Sequence, residues 1–215
     1  MDNILDVPYL SQRNLDKKHK SDVVRACNVT CLAMVLQYHH VPKITPEVLL
    51  DFLDERIPLS FAQKMFGNIP QVRNKNIEQI WRMLEFSGDW AIGGLESALR
   101  NEKFATFTYN TFDEIDEEID KGFPVIVGGA FTKSGHYVVI KGNRTIIINK
   151  MRKTEGYVVN DPWGEWFPDK RSYKNHNGEN CVFKKETLDR LLHNAYKDSG
   201  GNWSKKRVLL VHPKG

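Results

Sequence analysis

Apolar residues recur at helical spacing up to Phe104, and from there on they come in short strand-like runs separated by turn residues. The run Ala26-Cys27-Asn28-Val29-Thr30-Cys31-Leu32-Ala33-Met34-Val35-Leu36-Gln37-Tyr38 predicts a helix starting at or beside Cys27, because helix formers follow with no Gly or Pro before Pro42. Thr45-Pro46-Glu47 opens a second helix, with Thr45 as N-cap, Pro46 in the first turn and Val48, Leu49, Phe52 and Leu53 as its apolar stripe, ending near Arg56. Ahead of both, Ile4-Leu5-Asp6-Val7-Pro8-Tyr9-Leu10-Ser11-Gln12 reads as an extended segment that Pro8 keeps at an edge, and polar residues 13–26 read as a surface loop. Residues 57–75 carry no period and predict a loop. Asn76-Ile77-Glu78-Gln79 predicts a capped helix closed by Gly88, and residues 95–100 allow a further short one.

In the second half a strand at 104–109 precedes Thr111-Phe112-Asp113-Glu114, which caps an acidic helix ended by Lys121-Gly122. Strand candidates follow at 124–130, 136–141, 144–149 and 157–160, then a helix at 186–195 and a last strand at 207–212. Gly142-Asn143 has the chemistry of a two-residue hairpin turn, which makes the strands flanking it antiparallel. Helices first and a mainly antiparallel sheet second predict an α+β fold in segregated layers. With 215 residues and no Pro-, Gly- or Ser-rich linker, one domain over 1–215 is expected.

Composition narrows the picture modestly. Hydrophobic residues at 40% and charged residues at 27% fit a soluble globular protein and exclude a disordered chain. No apolar run reaches the roughly 20 residues of a membrane span. Met1-Asp2-Asn3 lacks the basic start of a secretory signal, so the chain is expected to be cytoplasmic as synthesised. Three cysteines are too few and odd in number for a disulfide framework. The net charge of +4 is mild, and Lys17-Lys18-His19-Lys20 and Lys205-Lys206-Arg207 read as solvated clusters; no nucleic-acid partner is expected, since no recognised motif accompanies them.

Candidate chemistry gathers at three places. A cysteine at a helix start meets unsatisfied N–H groups and the positive end of the helix dipole, both of which favour the reactive thiolate. Ser134-Gly135-His136-Tyr137-Val138-Val139-Ile140 puts a histidine at the head of an apolar strand. Val158-Val159-Asn160-Asp161-Pro162-Trp163-Gly164 puts an aspartate at a strand end, fixed by a proline turn. The start of the His136 strand and the end of a strand beyond its hairpin partner are read as one sheet edge, where His136 and Asp161 can meet. Strand neighbours face opposite sides, so either Asn160 or Asp161 can address the imidazole, but not both. Cys31 reads as a core residue, Cys181 as inert, and Trp163, Trp166 and Phe167 as groove lining or packing. His39 and His40 with Cys27 and Cys31 match no zinc spacing and lie along one helix, so neither metal nor cofactor is expected.

Val7-Pro8-Tyr9-Leu10-Ser11-Gln12, the Cys27 helix, Gly135-His136-Tyr137-Val138-Val139 and Asn160-Asp161-Pro162-Trp163-Gly164, in this order, resemble the peptidase C39-like group of the papain-like cysteine peptidases. The resemblance implies a papain-like fold, with an N-terminal helical part carrying the nucleophile helix packed on a C-terminal antiparallel sheet. It also implies Cys27 as nucleophile, His136 as base and then acid, Asp161 as orienter of the imidazole, and Gln12 with the Cys27 N–H as oxyanion donors. The chain departs from the family in having Asn28-Val29 where Gly-Pro often follows the cysteine, and in a long stretch between Gln12 and Cys27. The expected reaction is hydrolysis of an amide bond. The chain has no phosphate-binding loop or membrane span of an exporter, and its small basic character points to a peptidoglycan peptide, cleaved at the cell wall after release as by a phage-type lysin. Protein or leader-peptide processing is the alternative, and an idle peptide- or protein-binding module is the alternative of another class.

Overall fold

The structure is a computed structural model that describes residues 2–24, 26–40, 44–53, 112–132, 135–167, 170, 172–193 and 207–210. The expected loop at 57–75, the helices at 76–88 and 95–100 and the strand at 104–109 lie outside the described residues.

Helix α1 spans Cys27–Tyr38, as its sequence predicts. Every residue from Val29 to Leu36 is buried, so the helix is apolar all round and forms the centre of a core rather than a surface. His40, in the left-handed region at φ 59°, ends its path. Helix α2 spans Pro46–Leu53, and its Val48 N–H donates to the Thr45 hydroxyl at 3.3 Å, the N-cap expected of that threonine. Helix α3, Phe112–Asp120, buries Phe112, Ile115 and Ile119. It stops at Gly122, whose φ of 90° suits glycine, and the Phe123 N–H reaches back to the Glu118 carbonyl at 2.9 Å.

Strands β1 (Asn3–Ile4), β2 (Val125–Gly129), β3 (His136–Ile148), β4 (Met151–Asn160), β7 (Cys181–Lys184) and β8 (Arg207–Leu210) form one sheet in the order β7-β4-β3-β2-β8. Strand β1 pairs with β3, and every pairing is antiparallel. Two short strands, β5 (Glu165–Phe167) and β6 (Ser172–Asn175), form a separate ribbon, and helix α4 (Lys185–His193) follows β7. Residues of β2 and β3 alternate between two cores. Ile126, Tyr137 and Val139 pack with α1 and α2, while Val125, Val127, Val138 and Ile140 pack with α3, α4 and Phe183. The α+β class and the antiparallel sheet match expectation, and the sheet carries helices on both faces.

The hairpin differs from expectation. Gly142-Asn143 is no turn: β3 continues through it, its register against β4 shifting on either side, and the turn is Asn149-Lys150, both in the left-handed region at φ 50° and 64°. Gly142 is glycine because β1 lies against it, where a Cβ would come within 2.6 Å of the Asn3 carbonyl. The strands expected at 144–149 and 157–160 are the outer half of β3 and the end of β4. This merger is what brings the chemistry together. Three strands running up, down and up would leave the start of the first and the end of the third at opposite edges; one long hairpin puts the start of β3 beside the end of β4.

The segment before α1 also differs. It is not a plain surface loop, since Leu15, His19 and Asp22 are buried and short 3₁₀ turns span Gln12–Asn14 and Lys20–Asp22. In the basic cluster only the lysines are solvated; the His19 ring is held by Asp16 and Asp51, each at 2.9 Å.

Candidate active site

Three of the predicted residues stand at element ends that converge on one edge of the sheet. Cys27 is the first residue of α1, His136 the first of β3, and Asp161 the residue after β4. His136 Nε2 lies 2.7 Å from Asp161 Oδ1, and both side chains are buried. Cys27, partly exposed, stands near enough to the His136 ring that each shifts the proton affinity of the other. With Nε2 committed to the carboxylate, Nδ1 is the nitrogen left for the thiol.

The turn after β4 is held from several sides. The Asp161 N–H donates to the Gly178 carbonyl at 2.8 Å, and Asp161 Oδ1 also accepts the Trp163 N–H at 2.9 Å. Pro162 O accepts the Gln12 N–H at 3.0 Å and the Ser11 hydroxyl at 3.3 Å, so the N-terminal segment is pinned directly to the turn. A Cβ on Gly178 would stand 2.0 Å from the Asp161 carbonyl. Gly178→Ala is therefore expected to push this backbone away, lowering stability by about 1–3 kcal/mol in urea unfolding and slowing any reaction that needs His136 aligned.

Asn160 faces the other way. Its Nδ2 donates to Val7 O at 3.1 Å and its Oδ1 accepts the Asn180 N–H at 3.1 Å, so it ties β4 to the N-terminal segment while Asp161 meets the imidazole. The position of Gln12 was expected, but its side-chain contact was not. It is buried, its amide nitrogen donates to the Val23 carbonyl in the segment leading to α1, and its Oε1 has no hydrogen-bond partner.

The electrostatics favour an ion pair. Burial pushes the Cys27 thiol up, but the His136 hydrogen bond and charge, together with the N–H groups of Tyr137 and Asn28, outweigh it and hold the thiol below its ordinary value. Burial pushes His136 down, yet the charge and hydrogen bond of Asp161, followed by those of Cys27, raise it to about 10. The other cysteines are the reverse case: burial drives Cys31 well up, and burial with the Asp161 charge raises Cys181 to about 12. Among the described residues no group of three His, Cys, Asp or Glu side chains is placed to hold a metal ion.

Several neighbours gave no sequence signal. Phe131 and Tyr173 stand edge-on to the His136 ring at centroid distances of 6.0 and 6.2 Å, and the Tyr173 ring also meets Trp163 and Trp166. Trp166 is buried as packing, while Trp163 is partly exposed beside the turn. Tyr173 lies on β6, a strand too short and polar to announce itself. Arg13 donates from Nε to the Trp163 carbonyl at 2.6 Å and stacks on the Trp163 ring, 3.9 Å from its centroid.

Known proteins agree first on the class. The fold is similar to that of a C39-like peptidase from Bacillus anthracis, with a TM-score of 0.51 and 17% identity, covering 99% of this chain and 98% of that one. Residues 4–188 match the peptidase C39 like family, and the chain belongs to that family of peptidases. No curated protein matches it. Among the described residues, no helix is long and apolar enough to cross a membrane.

Proposed function

We propose that this protein is a cysteine peptidase, one domain over 1–215, that cleaves an amide bond through Cys27, His136 and Asp161. The observation that carries the reading is the buried His136 Nε2–Asp161 Oδ1 pair at 2.7 Å, at the end of the sheet where the Cys27 thiol at the start of α1 feels the imidazole's charge. The Cys27 thiolate attacks the carbonyl carbon. The oxyanion is received by the Cys27 backbone N–H, an orphan donor of the first helical turn, and by the Gln12 amide hydrogen that Val23 does not use. The His136 imidazolium then protonates the leaving amine, and water activated by the neutral ring releases the acid. Asp161 holds the ring in place and stabilises its charge. The net charge of +4 supports the peptide of a polyanionic cell wall as the first substrate to test, ahead of leader peptides.

Thiol labelling tests the nucleophile without any substrate. In the folded protein at pH 6, iodoacetamide is expected to modify Cys27 at least about tenfold faster than Cys31 or Cys181, because of the three only Cys27 is partly exposed and has its thiol held below the ordinary value, while the other two are raised. Equal, slow modification of all three, read by peptide mapping, would leave a peptide-binding module instead.

A further inference from the structure

We infer that Arg13 is a carboxylate-binding subsite beside Cys27, which selects peptides bearing an acidic side chain or a free C-terminal carboxylate close to the scissile bond. The inference rests on the cysteine-peptidase reading and adds a substrate class to it.

Arg13 is held along an edge and on a face. Its Nε–H is spent on the Trp163 carbonyl at 2.6 Å, and its Cζ lies over the Trp163 ring, 3.9 Å from the centroid. Its two terminal nitrogens make no hydrogen bond or ion pair with any described residue. The acidic side chains of the adjoining turns are already engaged: Asp161 with His136, Glu165 with Lys174 and Asn175, and Asp16 with His19. A guanidinium cannot shed its charge at any physiological pH, so here a permanent cation is immobilised with its outer fork unspent on any described residue. That geometry matches the two oxygens of a carboxylate, and fixing the arginine in advance removes much of the ordering cost of binding one.

The placement ties this fork to the reacting atoms. Arg13 follows Gln12, whose N–H is bonded to Pro162 O. Trp163, beneath the guanidinium, donates its own N–H to Asp161 Oδ1. Tyr173 bridges the remaining space, with its ring 6.3 Å from Trp163 and 6.2 Å from His136, and its hydroxyl senses the charges of Arg13 and Cys27 alike. Arg13, Trp163, Tyr173 and His136 thus form one continuous wall. A peptide whose carbonyl sits at Cys27 would run along it.

The test uses bromoacetyl tripeptides built from Gly and Ala, which alkylate Cys27 whatever its natural substrate. One set carries a single Glu at each position in turn, paired with Gln; a second set pairs a free C-terminal acid with its amide. At least one acidic member should label wild-type Cys27 about tenfold faster than its neutral twin, the value of one charge-assisted hydrogen-bonded pair. The set in which this occurs distinguishes a side-chain from a terminal carboxylate. In Arg13→Gln that ratio should fall close to one while labelling by iodoacetamide is unchanged, and Arg13→Lys should keep part of it. No discrimination in wild type, or discrimination that survives Arg13→Gln, overturns the subsite. A structural staple alone would not move the acid-to-neutral ratio. Should Arg13→Gln fail to fold, Arg13→Lys and the wild-type ratio, which must shrink as salt is raised, still decide. Failure of the cysteine-peptidase reading shows separately, as iodoacetamide labelling of Cys27 no faster than that of Cys31 and Cys181, and takes the subsite with it.

Discussion

Cys27→Ala is expected to stop the release of peptide fragments from isolated bacterial cell walls, lowering turnover by about 10⁴-fold or more. The other proposed groups cannot replace a nucleophile: His136 can move a proton and Asp161 can hold the ring, but neither forms the acyl intermediate. The fold should tolerate the change. Cys27 occupies the first helical position, alanine is the strongest helix former, and the thiol is partly exposed, so little is left empty. Circular dichroism and thermal unfolding of the variant should therefore resemble those of wild type. Fragments released by wild type alone, identified with their new amino groups by mass spectrometry, would give nucleophile and cleaved bond in one experiment. Fragments released equally by both proteins would place the chemistry elsewhere. No release by wild type from several kinds of wall would turn the search to protein and leader-peptide substrates.

The second large effect is expected at Asp161, where orientation and charge can be separated. Asp161 Oδ1 takes two donors, His136 Nε2 and the Trp163 N–H, while Oδ2 is buried with no hydrogen-bond partner. In Asp161→Asn these two donors compel the amide oxygen into the Oδ1 position. The ring then keeps its partner and its tautomer, and the amide nitrogen falls at the unpartnered place, at a cost of about 1–3 kcal/mol in stability. Asp161→Ala loses orientation and charge together. Relative to wild type, kcat/KM is expected to fall by about tenfold in Asp161→Asn and by about 10²- to 10³-fold in Asp161→Ala. An equal loss in both would mean that charge, not orientation, is what the aspartate supplies.

The same variants carry a pH prediction whose sign is set by His136. Its folded value is raised to about 10 from the ordinary 6.5, chiefly because Asp161 outweighs the opposing effect of burial. A raised cation contributes stability that is fully present below 6.5 and is lost as pH rises through about 10. The stability difference between wild type and Asp161→Ala should thus be largest just below pH 6.5 and shrink steadily as pH rises toward about 10. Labelling of Cys27 should change in parallel. Without Asp161 the ring no longer stays charged beside the thiol, Cys27 returns toward its ordinary range, and its labelling at pH 6 should drop by about tenfold for each unit regained.

What the sequence by itself determined is what neighbouring residues decide. Helix α1 starts at Cys27 because helix formers follow it without a break, α2 is capped by Thr45, and α3 stops at Gly122 because glycine takes the left-handed conformation there. The apolar strand headed by His136 and the proline turn after Asp161 are legible for the same reason. Tertiary structure decided whatever depends on a distant partner. Gly142 looked like a turn residue, but its lack of a side chain serves the approach of β1, and the true turn at Asn149-Lys150 set the hairpin that joins His136 to Asp161. Carbonyls of the N-terminal segment claim the Asn160 side chain, and the residue beside it, Asp161, is the one that meets the imidazole. Asp16 is local to His19, but the burial of that ring also depends on Asp51 of α2, and the Gln12 amide turned to a carbonyl in the segment before α1. Tyr173 and Arg13 came to the site only through the ribbon of β5 and β6 and the ring of Trp163. Local spacing encodes φ, ψ and period, whereas a buried polar atom takes whichever partner the folded chain brings within reach.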